Sequence, residues 1–227
     1  MEKGGVNINY HNITYPDMNN GSGLRVVLWL SGCSHKCKGC QNPQTWDADS
    51  GIPFNESAKE ELFRELDKDY ISGLTLTGGD PLFESNLDDV LELVTEVNKR
   101  YNTTQYIDEN NQNNHNILNT NADKIRLSSP QKSIWLYTGY KVISVDSEYG
   151  SIIFDRDNED IIKQFTYKSV INHNKRINIA SMCDVIVDGR YVDSQRNISL
   201  SYRGSQNQRL IDVKQSLQKG EIVLWQT

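Results

Sequence analysis

Leu24-Arg25-Val26-Val27-Leu28-Trp29-Leu30-Ser31-Gly32-Cys33-Ser34-His35-Lys36-Cys37-Lys38-Gly39-Cys40 is the stretch whose reading decides the architecture. Its first seven residues are nearly all apolar and rich in branched side chains. They read as a short strand buried on both faces, the pattern of a parallel sheet. The cysteine loop begins where that strand stops. It therefore lies at a strand's carboxyl end, where parallel α/β proteins build their ligand sites.

Three of the chain's four cysteines stand in this loop, spaced Cys-x3-Cys-x2-Cys. Close thiols between glycines can wrap a soft metal centre. Three thiolates satisfy three irons of a cubic iron–sulfur cluster and leave the fourth iron open to chelate a small ligand. A structural zinc site is the alternative, and it would need a fourth ligand. His35 would give a Cys3His set but is cramped inside the first spacer; Cys183 is a distant candidate. Plain or redox thiols are a third reading. A disulfide framework fits poorly, because three clustered thiols leave one over.

The chain has 227 residues, 37% of them hydrophobic, and a net charge of −6. That length suits one large domain or two small ones. The acidic balance argues against nucleic-acid binding, which runs on clustered Lys and Arg. No apolar run reaches the length of a membrane span, and Met1–Asn9 has no signal-peptide core. Reduced clustered thiols then point to the cytoplasm.

Outward from the loop, residues 1–23 read as polar and turn-rich. Ser57-Ala58-Lys59-Glu60 has the capping-box pattern and predicts a helix to about Lys68. Gly73–Thr77 reads as a second strand that runs into Gly78-Gly79-Asp80-Pro81, where two glycines allow close backbone approach to a ligand. Asn86–Arg100 has apolar residues at helical spacing and predicts a core-facing crossover helix. The Asn-rich residues 102–132 read as a surface insertion. Ser133–Tyr137 is a third buried strand, ending in Thr138-Gly139-Tyr140. Residues 142–179 read as a second insertion, with a short helix near Asp160–Tyr167. Met182–Val187 is a fourth strand, in which Cys183 is expected to be a buried small hydrophobe. The turn from Arg203 to Arg209 could grip an anion or pair with surface acids. Strand–loop–helix units repeated in this way give a parallel α/β sheet. Four or five strands suit a partial, open β/α barrel better than a closed one. The chain is expected to form a single domain, residues 1–227, carrying both insertions.

The motifs resemble those of the radical S-adenosylmethionine (SAM) enzymes, and within them the branch that activates the anaerobic (class III) ribonucleoside-triphosphate reductase. The resemblance runs most of the chain: Asn20-Gly21-x-Gly23, Ser31-Gly32-Cys33 with its spacers, Asn42, Thr45-Trp46, Gly78-Gly79-Asp80-Pro81-Leu82, Trp135-x-Tyr137-Thr138-Gly139-Tyr140, Asp184-Val185-x-Val187-Asp188-Gly189, and Arg203-Gly204-Ser205-x-Asn207-Gln208. It implies that Cys33, Cys37 and Cys40 bind a [4Fe-4S] cluster whose open iron takes the amino and carboxylate groups of S-adenosyl-L-methionine. It implies nucleotide contacts from Gly39, Cys40, Gln41, Gly78, Gly79, Asp80, Tyr137 and Thr138, with no catalytic residue beyond the cluster. Gly39 departs from the wider superfamily, which has an aromatic residue there. The implied reaction is reductive cleavage of SAM and generation of a glycyl radical on the reductase's large subunit, with a reduced flavodoxin-like electron donor. The nearest rivals are an activase of another glycyl-radical enzyme and a small-molecule radical enzyme; a zinc-stabilised, non-catalytic binding module is the rival of another class.

Overall fold

The structure, a computed structural model, describes residues 8–102, 106–107, 125–126, 131–155 and 167–226. The chain enters through a strand that its polar sequence hides. β1 (Asn9–Asp17) runs antiparallel to β2 (Leu24–Leu30), so this part of the stretch expected to be turn-rich is extended, while residues 18–23 form bends as expected. Only Tyr10 and Ile13 of β1 are buried. The other side chains stay wet or half-wet, which removes the apolar alternation that betrays a strand. β3 (Ile52–Pro53) then pairs with the outer side of β1.

α1 (Glu56–Leu66) is capped by Asn55, whose side-chain oxygen accepts from Ala58 N–H at 3.1 Å. The capping-box residue Ser57 lies within the first turn instead, because Asn55 already satisfies the free donor. α1 leads to β4 (Ile71–Gly78), and α2 (Leu87–Val97) buries Leu87, Val90, Leu93, Val94 and Val97 on one face. β5 (Tyr106–Ile107) and β6 (Ile125–Arg126) pair antiparallel within the Asn-rich segment, most of which lies outside the described residues. β7 (Ser133–Tyr137) is followed by the hairpin β8 (Val142–Asp146) and β9 (Ser151–Phe154). α3 (Tyr167–Ser181), β10 (Val185–Asp188), β11 (Arg209–Asp212) and α4 (Val213–Lys219) complete the chain.

The central sheet is ordered β11-β10-β7-β4-β2-β1-β3. Its four middle strands are parallel, with β11 and β1 antiparallel on either side. α1, α2 and α3 are the crossovers between consecutive parallel strands. The architecture is thus mixed α/β around a largely parallel sheet, and the sequence-predicted strands at 24–30, 73–77 and 133–137 are its centre. The strand expected at Met182–Val187 begins later, at Val185. Residues 142–179, expected to be an insertion, contribute buried Val142, Ile152, Phe154 and Ile179 to the main core. The short helix near Asp160–Tyr167 falls almost wholly outside the described residues. Among the described residues no helix is long and apolar enough to cross a membrane.

Alternation along the strands sorts two faces. Val26, Leu28, Leu30, Leu74, Leu76, Ile134, Leu136 and Ile186 pack into the main core with Leu62, Val90, Leu93, Val94 and Ile179 from the helices. Trp135, Val185, Val187 and Leu210 form a second cluster, with Tyr137, Tyr202 and Trp225 against it. Arg25 is fully buried in β2 despite its charge. Its guanidinium donates to Thr75 Oγ1 and to the carbonyls of Ser22, Leu74 and Ser133, and lies 5.4 Å from the Trp135 ring centre. Burial without a carboxylate against it brings its pKa down to about 10. Those carbonyls substitute for water around the cation.

The Asn-rich segment starts and stops at one place. Asn102 Nδ2 donates to Lys132 O at 3.0 Å, and Lys132 N–H donates back to Asn102 Oδ1 at 3.2 Å. Lys132 is itself buried, its Nζ donating to Lys68 O and Ile71 O at the foot of β4. It belongs to the frame, not to the inserted stretch.

Candidate functional site at the strand ends

Four loops leave the carboxyl ends of β2, β4, β7 and β10: residues 31–46, 78–82, 138–141 and 189–192. The first carries the thiols. Gly32 has φ +92°, and its N–H donates to Thr45 O at 2.8 Å. Cys33 N–H donates to Trp46 O at 3.0 Å, folding the loop back on itself. Lys36, at φ +43°, sits in a backbone region that non-glycine residues rarely occupy. Gly39 also needs a positive φ, +76°, and a Cβ there would lie 2.8 Å from Asp193 Oδ1.

The Gly-Gly turn is bonded to the thiol loop. Gly79 N–H donates to Leu30 O and Asp80 N–H to Gly32 O, each at 2.7 Å. A Cβ on Gly79 would stand 2.4 Å from Gly32 O, and one on Gly78 2.7 Å from Leu30 N. The two glycines are therefore needed for the approach of one loop's backbone to the other's. The sequence alone predicts close backbone approach here without naming the neighbouring loop as what is approached.

Asp80 is 2% exposed, and its carboxylate joins three loops. Oδ1 accepts from Leu82 N–H at 2.8 Å and Oδ2 from Gly139 N–H at 2.9 Å. Thr138 Oγ1 is 3.0 Å from both oxygens. His35 Nε2 stands 2.9 Å from Oδ2, a short contact that is bent away from the N–H direction and not an in-line hydrogen bond. Thr138 and Asp80, expected to contact a nucleotide, are spent on each other. Tyr137 turns away: its hydroxyl donates to Tyr202 O at 2.8 Å, and burial raises its pKa. Gln41 is exposed.

Cys33, Cys37 and Cys40 are free and half-buried. Burial pushes the Cys33 thiol up to about 11, helped by the Asp80 charge; N–H groups of His35 and Lys36 aimed at the sulfur work the other way. Burial also raises Cys37, opposed by an N–H from Tyr191 and by the Arg190 charge. Asn42 N–H points at Cys40 Sγ, 3.4 Å away. Each sulfur thus already faces at least one N–H donor, the environment that suits a thiolate ligand of an iron–sulfur cluster. Among the described residues no group of three or more His, Cys, Asp or Glu could hold a metal ion. In a cubic cluster each sulfur takes its own iron, so its ligands need not share one. His35 faces Asp80 and is 3% exposed, which commits it elsewhere than to a zinc shell. Cys183 is also remote: it is buried at the end of α3, its Sγ donating to Ile179 O at 3.2 Å, at the amino end of β10.

The remaining motifs hold the rim. Asp188 is 1% exposed and accepts from Val142 N–H at 2.9 Å and from Arg209 Nε at 3.0 Å. Arg209 therefore pairs with a buried acid and is not free for an anion. Gln208 Nε2 donates to Gly189 O at 3.0 Å and Asn207 Nδ2 to Arg190 O at 2.8 Å, stitching the 203–209 turn to the loop after β10. The sequence reading missed His35 as an organiser and Tyr191 as a donor. A backbone N–H leaves no side-chain signal, and His35 was weighed only as a metal ligand.

A family of 4Fe-4S single cluster domains matches residues 19–120 and 108–211. The chain is 36% identical to the anaerobic ribonucleoside-triphosphate reductase-activating protein of Enterobacteria phage T4, over 89% of this chain and 93% of that one. It is 29% identical to the proteins of the same name from Escherichia coli (strain K12) and Vibrio cholerae, over 88% of this chain and 96% of each. No solved structure matches.

Proposed function

Because the chain belongs to the family of anaerobic ribonucleoside-triphosphate reductase-activating proteins and carries its 4Fe-4S domain, we propose that it is a radical SAM enzyme that makes a glycyl radical on the reductase's large subunit. One observation carries this reading. The three-thiol loop and the Gly-Gly turn form one hydrogen-bonded unit at the ends of two adjacent parallel strands. Cys33, Cys37 and Cys40 would hold the [4Fe-4S] cluster. That group would supply the one-electron reducing power for reductive cleavage of S-adenosyl-L-methionine and, through it, removal of a hydrogen atom from a glycine Cα of the partner.

The chain's own residues bind and orient. The N–H groups of Gly79 and Asp80 are already spent, and the Asp80 carbonyl accepts from Phe83 N–H and Asn86 Nδ2, so the turn would offer a ligand the carbonyl oxygens of Gly78 and Gly79, which suit the ammonium of the methionine moiety. Asp80 holds the turns after β4 and β7 at fixed separation, so the ligand meets a preformed site. We read Gly39, Cys40 and Gln41 as the nucleotide side of the loop, and the sheet as an open β/α barrel whose mouth admits a loop of the partner. Tyr137, tied to Tyr202, supports the wall behind that mouth. The electron donor is of the reduced flavodoxin-like kind, and the setting is the cytoplasm.

Anaerobic reconstitution with iron and sulfide tests the proposal. The expected result is about four irons with matching sulfide per chain. Under reductant it should release methionine and 5′-deoxyadenosine, and an organic radical should appear on the reductase by electron spin resonance. One zinc in place of iron, or a cluster that leaves the nucleotide intact, would refute it.

A further inference from the structure

We propose that His35 is a positioning residue that fixes the thiol loop against the other three strand-end loops, and that SAM binding depends on this while cluster retention does not. The proposal rests on the function proposed above and goes beyond the ligand set.

The base of the thiol loop is already fastened through backbone by Gly79 N–H to Leu30 O and Asp80 N–H to Gly32 O. Its body, from Cys33 to Cys40, has no such ladder. The Tyr191 N–H reaches the Cys37 sulfur, and one imidazole meets all three neighbouring loops. Nε2 stands 2.9 Å from Asp80 Oδ2, after β4. Nδ1 lies 3.1 Å from Arg190 Nε, after β10. The ring meets Tyr140, after β7, edge-on with centroids 4.7 Å apart. A Cβ on Gly139 would fall 2.2 Å from ring carbon Cδ2, so glycine leaves the ring its place. The side chain is 3% exposed.

Two further facts show that the ring is held and not merely near. Arg190 Nε can only donate, so Nδ1 is the acceptor of that bond and the ring's rotation is fixed by it. The next residue, Lys36, holds φ +43°, a conformation that persists when the surroundings over-determine it. The thiols need only their own loop to carry a cluster. SAM, which would contact both the cluster and the carbonyls of 78–79, would need that loop at a set distance from the turn. His35 supplies this for the body of the loop.

The test compares the parent with His35→Ala and Gly139→Ala after anaerobic reconstitution. Three quantities are read: iron and sulfide per chain, the SAM concentration that half-changes the spin-resonance signal of the reduced cluster, and KM against kcat for cleavage. Both variants are expected to keep parental iron and sulfide. The half-change concentration and KM should rise roughly tenfold or more, with kcat close to parental. Gly139→Ala displaces the ring without removing a polar group, so it decides alone if His35→Ala does not fold. Parental SAM titrations in the folded variants overturn the proposal. So does folded His35→Ala that loses its iron, since the ring would then serve retention. A parent that loads a cluster and never responds to SAM refutes the proposed function itself, and this inference falls with it.

Discussion

Asp80→Asn separates a carboxylate that ties loops together from one that faces a ligand. The side chain is 2% exposed and receives Leu82 N–H on one oxygen, Gly139 N–H on the other, and the Thr138 hydroxyl on both. An amide can copy one oxygen only. Whichever way it turns, its NH2 meets a backbone N–H, and a buried donor loses its acceptor. Stranding one such group costs about 1–3 kcal/mol, and bonds to a charged acceptor are themselves worth about 1.5–3 kcal/mol each. Losing one N–H bond and weakening the rest gives about 3 kcal/mol. For a chain of this size that lowers the melting temperature by roughly 6–12 °C. The assay is denaturant unfolding of the metal-free chain, with Asp80→Ala as a second variant. If Asp80→Asn unfolds within about 0.5 kcal/mol of the parent, the tether argument is refuted, and a ligand-facing role takes its place.

Cys33→Ala, Cys37→Ala and Cys40→Ala should each lose most of the iron on reconstitution, whereas Cys183→Ala keeps it and costs about 1 kcal/mol in packing; iron analysis with a melting curve checks both. Gly79→Ala places a methyl 2.4 Å from Gly32 O and should part the two loops, lowering SAM affinity more than stability, as binding titration beside denaturation will tell. Burial raises Tyr101 and Tyr137 above the ordinary phenol value of 10.0. Above about pH 10 the unfolded chain therefore loses protons that the native one retains, and stability falls with rising pH. Denaturant midpoints at pH 8 and 10.5 measure this, and Tyr137→Phe should flatten the slope.

The centre of the fold was legible because its strands are dry on both faces. Val26, Leu28 and Leu30 and their partners in β4 and β7 announce themselves as apolar runs. β1 did not, because only Tyr10 and Ile13 are buried and the rest is Asn, His, Thr, Pro, Asp and the exposed Tyr15. The hairpin β8–β9 was misread for the same reason: Val142, Ile152 and Phe154 reach the core, while Ile143 is exposed beside them. Arg25 shows the converse limit, since a charge inside an apolar run gives no hint of the carbonyls that will surround it. At the site, spacing disclosed the thiols and the Gly-Gly turn. What sequence could not convey was partnership. The resemblance implies ligand contacts for Asp80 and Thr138 and carries no sign that they bind one another, and the burial of His35 depends on three loops far apart in the chain.

The handshake between Asn102 and Lys132 brings together the two ends of the sequence between them. Closing a longer chain there costs little, since closure entropy grows only with the logarithm of length. Anchorage stays with the two end residues. A fluorescent reporter or an affinity tag grafted between them would join the molecule at a knot already tied, away from the thiols at the strand ends. A cut that removed Lys132 would instead pull a buried ammonium from beneath β4.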